Sequence, residues 1–254
     1  MVDLSELDPA TMARHLGNPE GEIGCVLADT MAERNWPVYE AGFQRLAVQP
    51  GDSLFEVGFG NGKLVPRLLA LAPGLTYAGI DFSETMVSEA EAFNQELIRA
   101  GRATFRLASV EAIPFAADAF DRALAVNTIY FWPDPVHALA EIRRVLRPDC
   151  VLFVLAGTPE EMAKAPFTPY GFRVYDEAQL RECTRTPDFC VSRSSGIETR
   201  RQPWTEPAQP SAKTSSSSAL PDAPVRAVRL WTADPDKIID EVRRGERGVR
   251  WGFP

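Results

Sequence analysis

Histidine is nearly missing from this chain, with two in 254 residues, and its four cysteines, at 25, 150, 183 and 190, form no Cys-x-x-Cys pair. No zinc set is therefore expected, and the cysteines read as reduced thiols of a cytoplasmic protein. Basic excess is missing too: 27 Lys plus Arg stand against 35 Asp plus Glu, a formal net charge of -8. Nucleic acids are held by clustered cations, so this balance argues against them as the main partner and leaves a small molecule as the default. Long apolar runs are also lacking. Stretches such as 68–72 and 151–156 fall far short of the roughly 20 residues that cross a membrane, so no membrane span is expected. The first 21 residues carry acid where an export signal carries base, and they have no apolar centre.

What is present is an ordinary globular composition, 45% hydrophobic, arranged in alternation. From about residue 50 to 155, short apolar runs exchange with longer helical patterns, the signature of strand-helix-strand units and a parallel sheet. Strands are expected at 53–57, 76–80, 104–107, 120–126 and 151–155, with helices at 63–71, 83–100 and 135–146. The last helix carries Leu139, Ile142, Val145 and Leu146 on one face. Ser83 stands where an N-cap belongs. Residues 1–48 read as a helical lid or flank, in which Trp36, Tyr39, Phe43 and Leu46 recur at spacings of three and four. Such a stripe suits packing, and Tyr39 is also a candidate contact of the site. Residues 203–223, rich in Pro and Ser, read as a disordered loop, followed by an edge strand and tail over 224–254. Residues 191–254 hold 11 Lys plus Arg and 8 Asp plus Glu, a local +3, so the preceding 190 residues carry -11.

The chemical centre is the turn Glu56-Val-Gly58-Phe-Gly60-Asn-Gly62, placed where a buried strand gives way to a helix. Glycines there let the backbone turn sharply and approach a ligand, and the next helix offers unpaired N–H groups. Asp81 follows at the end of the second expected strand, 21 positions after Gly60, where a carboxylate can accept both hydroxyls of a ribose. Phe82 and Met86 are an apolar wall for an adenine ring or ordinary core. A nicotinamide fingerprint starting at Gly58 needs glycine at 63, and this chain has Lys63.

Gly-x-Gly-x-Gly preceded by an acidic residue resembles the first motif of class I S-adenosylmethionine-dependent methyltransferases. The resemblance continues in order over about 100 residues: Glu111-Ala-Ile-Pro-Phe115, Asp118-Ala-Phe-Asp121, and Arg143-Arg-Val-Leu-Arg-Pro148 ahead of Val151. It is similar to the small-molecule branch that includes quinone-biosynthesis enzymes. The fold this implies is α/β, a Rossmann-like, doubly wound, mostly parallel sheet with helices on both faces, and residues 49–202 are its catalytic domain. The cofactor implied is S-adenosyl-L-methionine, with Glu56, Gly58, Gly60 and Gly62 around its methionine end. Asp81 would take its ribose and Phe82, Met86, Ser109 and Val110 its adenine. Asn127 and Thr128, after the fourth strand, line the methionine part, while Tyr130 and Trp132 face a small organic acceptor.

The chain departs from the family at three places. Ser109 occupies the position of an Asp that bonds the adenine amino group, so the contact loses its charge. Cys150 stands where relatives turn on glycine, which implies strain if the turn needs a positive φ. The closing antiparallel hairpin would be 190–199 with 225–232, split by the Pro- and Ser-rich loop, as a natural insertion or a shifted reading frame after about residue 186. Methyl transfer is an in-line displacement that needs alignment and exclusion of water more than acid-base machinery. His137 is the sole candidate base, and equally a solvated helix residue. The alternatives kept open are a dinucleotide-dependent oxidoreductase and a non-catalytic S-adenosylmethionine-binding protein.

Overall fold

The computed structural model describes residues 2–183, 189–191 and 226–232. A seven-stranded sheet forms its middle: β1 (Ser53–Val57), β2 (Thr76–Asp81), β3 (Ala103–Leu107), β4 (Phe120–Val126), β5 (Leu146–Ala156), β6 (Phe189–Val191) and β7 (Arg226–Thr232). They lie in the order β3-β2-β1-β4-β5-β7-β6. Every pairing among the described strands is parallel. Strand order reverses between β1 and β4, and open α/β sheets bind ligands at the carboxyl ends of strands beside such a reversal.

Before the sheet come α1 (Pro9–Gly17) and α2 (Gly21–Leu46). Between its strands run α3 (Val65–Ala70), α4 (Glu84–Phe93), α5 (Gln95–Arg99) and α6 (Pro135–Val145), and after β5 come α7 (Pro159–Met162) and α8 (Glu177–Cys183). Local chemistry starts several of them. Asp8 accepts the N–H groups of Ala10 and Thr11 ahead of Pro9, and Asp134 does the same for Val136 and His137 ahead of Pro135. Ser83 caps α4 through the Met86 N–H, as its position in the sequence implies.

Side chains of the central strands alternate between two buried layers, which explains why these strands read as nearly continuous apolar runs. Phe55, Val57, Ile80, Ala123, Leu152 and Val154 face α6 through Leu139, Ile142 and Val145. Leu54, Tyr77, Leu124, Phe153 and Leu155 face α2 and α3 through Val38, Phe43, Leu46, Val65 and Leu68. Gly42 lets α2 lie close on β5, because a Cβ there would sit 2.7 Å from the Phe153 ring.

Four expectations need correction. The single helix over 83–100 is two helices, since the Asn94 amide turns back to the Ala90 and Gly62 carbonyls and breaks the ladder. The helix at 135–146 ends at Val145, and Leu146 already pairs with Phe120 in β5. Cys150 therefore lies within a strand instead of a turn, and it is absent from the positive-φ positions, so the inferred strain does not arise. The expected antiparallel hairpin is also not formed: β6 pairs with β7, and β7 with β5, in parallel. The loop over 203–223 and the tail after 232 lie outside the described residues.

Phe55 is fully buried, stacks on Phe120 at 5.0 Å and meets the Phe115 ring at 5.9 Å. Phe55→Ala removes the centre of this trio, and we expect a loss of about 3–5 kcal/mol in denaturant unfolding.

Candidate functional site

Three left-handed glycines carry the chain from β1 into α3: Gly58 at φ 74, Gly60 at φ 61 and Gly62 at φ 67. Two of them are also required by packing. A Cβ on Gly58 would lie 2.3 Å from Thr128 Cγ2, and one on Gly62 would lie 2.7 Å from Ala90 Cβ. Gly60 differs, because nothing lies within 4 Å of where its Cβ would be. Its side of the loop is open space, and its N–H donates to Asp81 Oδ2 at 3.0 Å.

Asp81 ends β2 and accepts the Ser83 N–H on Oδ1 at 3.0 Å. Each carboxylate oxygen keeps a further lone pair for a hydroxyl donor. The carboxylate is buried, and that burial pushes its pKa up to about 6 against the pull of these backbone donors. Phe82 beside it is 52% exposed, and Leu107, opposite Asp81 in the register of β3, is 50% exposed. Together they give an apolar rim to the same end of the sheet. Ser109 is exposed, with its Oγ accepting the Glu111 N–H at 3.2 Å, and Val110 is buried. Met86 is fully buried, so of the two expected wall residues only Phe82 presents a surface.

Glu56 is the other buried acid. Its Oε1 accepts the Tyr39 hydroxyl at 2.6 Å and its Oε2 accepts the Tyr77 hydroxyl at 2.5 Å. Burial raises its pKa to about 7, partly offset by the two phenols and reinforced by nearby Asp81. Tyr77 reaches Glu56 because its register neighbourhood is hollow: Gly79 faces Glu56, and a Cβ on Gly79 would lie 2.8 Å from the Tyr77 hydroxyl. Tyr39 thus serves Glu56 from α2 rather than standing free in the cleft.

Further contacts fix α2 and its approach to the loop. Asp29 accepts the Asn61 amide at 2.6 Å and pairs with Lys63. Trp36 lies under the Arg67 guanidinium at 3.8 Å. The Ser83 hydroxyl donates to the Pro19 carbonyl at 2.5 Å, so the turn between α1 and α2 covers the start of α4. Asn127, left-handed at φ 57, donates from its amide to Asn35 at 3.5 Å.

After β4, Tyr130 is buried, accepts the Gly157 N–H and lies 3.5 Å from Asn127 Oδ1. Its pKa is pushed up to about 12 by burial, so it remains a phenol. Trp132 is buried, and its Nε1 has no partner, nor has Thr128 Oγ1. Phe131 and Phe172 pack beside Tyr130 at ring separations of 6.0 and 5.4 Å, and Phe167 packs on Phe172 at 5.3 Å. His137 is exposed at the start of α6, unlike the buried Tyr130 and Trp132.

Residues 55–154 match a family model described as a methyltransferase domain. The match covers this part of the chain, from β1 into β5. An O-methyltransferase of Aspergillus sclerotiorum is 32% identical over 127 residues, covering 47% of this chain and 48% of its own. A ubiquinone/menaquinone biosynthesis C-methyltransferase of Paracoccus denitrificans is 36% identical over 138 residues, 51% and 52% respectively. The chain thus spans about half the length of these relatives. In fold it resembles a chain from the solved Haloferax volcanii complex of the Trm112 methyltransferase activator with a methyltransferase. The TM-score there is 0.56 at 23% identity, over 62% of this chain and 69% of that one.

Within residues 55–154, sequence reasoning missed Tyr77, Gly79, Asn61 and Asn94, and outside them Asp29. Tyr77 had a usable signal, since a phenol inside a buried strand must find an acceptor. Asp29 had none, because its partners lie more than 30 residues away along the chain.

The two raised carboxyls also set a pH dependence. Each holds its proton in the folded protein at pH values where the unfolded chain has released it. Their contribution is therefore full below the ordinary carboxylate range and is lost as pH climbs through about 6 for Asp81 and about 7 for Glu56. We expect unfolding free energy to fall by a few kcal/mol between about pH 4 and pH 7.5 from these groups. Denaturant melts of Glu56→Gln across that range should show a shallower fall than the parent.

Proposed function

We propose that this chain transfers a methyl group from S-adenosylmethionine to a small organic acceptor. The observation that carries the reading is Gly60: open space over its Cα, a left-handed backbone, and an N–H fixed on the Asp81 carboxylate. The donor set fits the cofactor. Asp81 offers lone pairs to ribose hydroxyls, Phe82 and Leu107 offer apolar surface to a base, and the unpartnered Thr128 hydroxyl lies beside Gly58. Ser109 is at hand for the adenine edge. When bound, S-adenosylmethionine supplies a methyl group activated by the sulfonium. The chain's own part is to orient, to exclude water and to present carboxylates and carbonyls to positive charge.

In this reading 1–48 is a lid, 49–202 the catalytic domain, and Tyr130 and Trp132 the polar marks of an otherwise aromatic acceptor wall. The exposed His137 is left as a solvated helix residue. The relatives named above include an O- and a C-methyltransferase. Their difference in acceptor atom agrees with a site in which alignment, not a dedicated base, is the shared requirement. No described helix is long and apolar enough to cross a membrane, and Cys25, Cys150 and Cys183 are free thiols. A cytoplasmic enzyme of small-molecule chemistry, without nucleic acid as partner, is consistent with both.

Calorimetric titration with S-adenosylhomocysteine tests the reading: binding is expected, and NAD should not bind. Asp81→Ala should weaken that complex by about 1.5–3 kcal/mol, the range for hydrogen bonds to a charged group. Unchanged affinity in this variant would remove Asp81 from the ribose, and NAD binding without S-adenosylhomocysteine binding would overturn the assignment.

A further inference from the structure

Glu56 is a buried carboxyl with both oxygens on phenols and, among the described residues, no Lys, Arg or His within ion-pair distance. The charged and titratable groups that act on it are Tyr39 from α2 and Tyr77 and Asp81 from β2. None of them is a cation. A buried anion without a counter-ion is costly, and the usual relief is to hold a proton instead. Two phenol donors work in the opposite sense, because they stabilise the anion. Both phenols are themselves held well above their ordinary range by burial and by Glu56, so they stay donors. Glu56 is thus balanced between carboxyl and carboxylate, at the foot of the glycine loop, with nothing built into the site to neutralise it.

Resting on the methyltransferase reading, we propose that Tyr39 and Tyr77 are positioning residues that balance Glu56 between its two forms. A ligand bearing an α-ammonium group then binds by expelling the Glu56 proton to solvent. The carboxyl O–H bond is the one that breaks, the proton passes to buffer, and the ligand cation takes its place as the neutralising charge. Tyr39 belongs to α2, so the same contact ties the seating of that helix to the charge on Glu56. Burial that lifts Glu56 to about 7 places the exchange where it is measurable.

The test is titration of the full chain with S-adenosylhomocysteine from pH 6 to pH 8, in phosphate and in Tris, whose differing protonation enthalpies count the protons released. 5′-Methylthioadenosine, which lacks the amino-acid end, reports the share that belongs to Asp81. We expect S-adenosylhomocysteine to release more protons than methylthioadenosine. Its affinity should rise by up to about tenfold per pH unit below pH 7 and flatten above it. Glu56→Gln should abolish the excess. Tyr39→Phe should move the flattening to higher pH, so that its deficit shrinks as pH rises.

Equal proton counts for the two ligands overturn the proposal, as does a Tyr39→Phe deficit that is the same at every pH. If Tyr39→Phe does not fold, Tyr77→Phe makes the same comparison, and the parent's proton count decides without any variant. Absence of S-adenosylhomocysteine binding would instead overturn the functional reading beneath it.

Discussion

The chain has to leave a buried strand and enter a helix within a few residues while keeping one side of the backbone bare. It does so by putting glycine in the left-handed region at 58, 60 and 62. L-residues with a Cβ pay steric energy there, so the conformation itself selects glycine. Two of the three then become packing points, with Thr128 filling the space over Gly58 and Ala90 the space over Gly62. Only Gly60 stays clear. The loop is in this way fastened to the turn after β4 on one side and α4 on the other, and its one unoccupied position opens at the carboxyl ends of the strands where their order reverses.

Everything from α2 converges on the same loop. Asp29 holds Asn61 and Lys63, Tyr39 holds Glu56, and Asn35 meets Asn127. These groups occupy successive turns of one helix, so a single rigid element spans the glycine loop, the strand beneath it and the turn after β4. The contacts are mostly polar, whereas the last turns of α2 bury Phe43 and Leu46 in the layer below the sheet. The apolar end anchors the helix, and the polar end meets the site. This division explains why the stripe Trp36, Tyr39, Phe43, Leu46 looks uniform in the sequence yet performs two tasks. Phe43 and Leu46 pack, Tyr39 bonds a carboxylate, and Trp36 lies against Arg67.

The parts of the fold that were readable in the sequence are those set by local chemistry. Strands β1 to β5 are short, mostly apolar runs, those inside the sheet buried on both faces, and Ser83, Pro135 and the glycine turn announce helix starts and a sharp connection. What was not readable depends on partners distant in the chain. The break at Asn94 exists because its amide finds the Gly62 carbonyl, 32 positions away. β5 pairs with β4 at Leu146 and again from Val151, so Cys150 lies in an irregularity between two paired stretches, which the local Pro-Asp-Cys sequence, read as a turn, does not announce. The direction of β7 was likewise beyond reach, since its alternating pattern is the same whether it runs with or against β5. In the site, glycines and Asp81 stood out by residue type and spacing. Tyr77 and Gly79 did not, because their joint role appears only when β1 and β2 lie in register.

The turn after β4 is defined by which of its polar groups are satisfied. Tyr130 is satisfied by the Gly157 N–H, and as a phenol held far above neutral pH it serves as a fixed donor or acceptor and not as a base. Arg173 is spent on the Trp132 and Pro133 carbonyls, so it does not point charge into the aromatic cluster. Among the described residues here, Trp132 Nε1 and Thr128 Oγ1 remain buried donors without a partner. Buried donors of this kind are rare in proteins unless a ligand or water completes them.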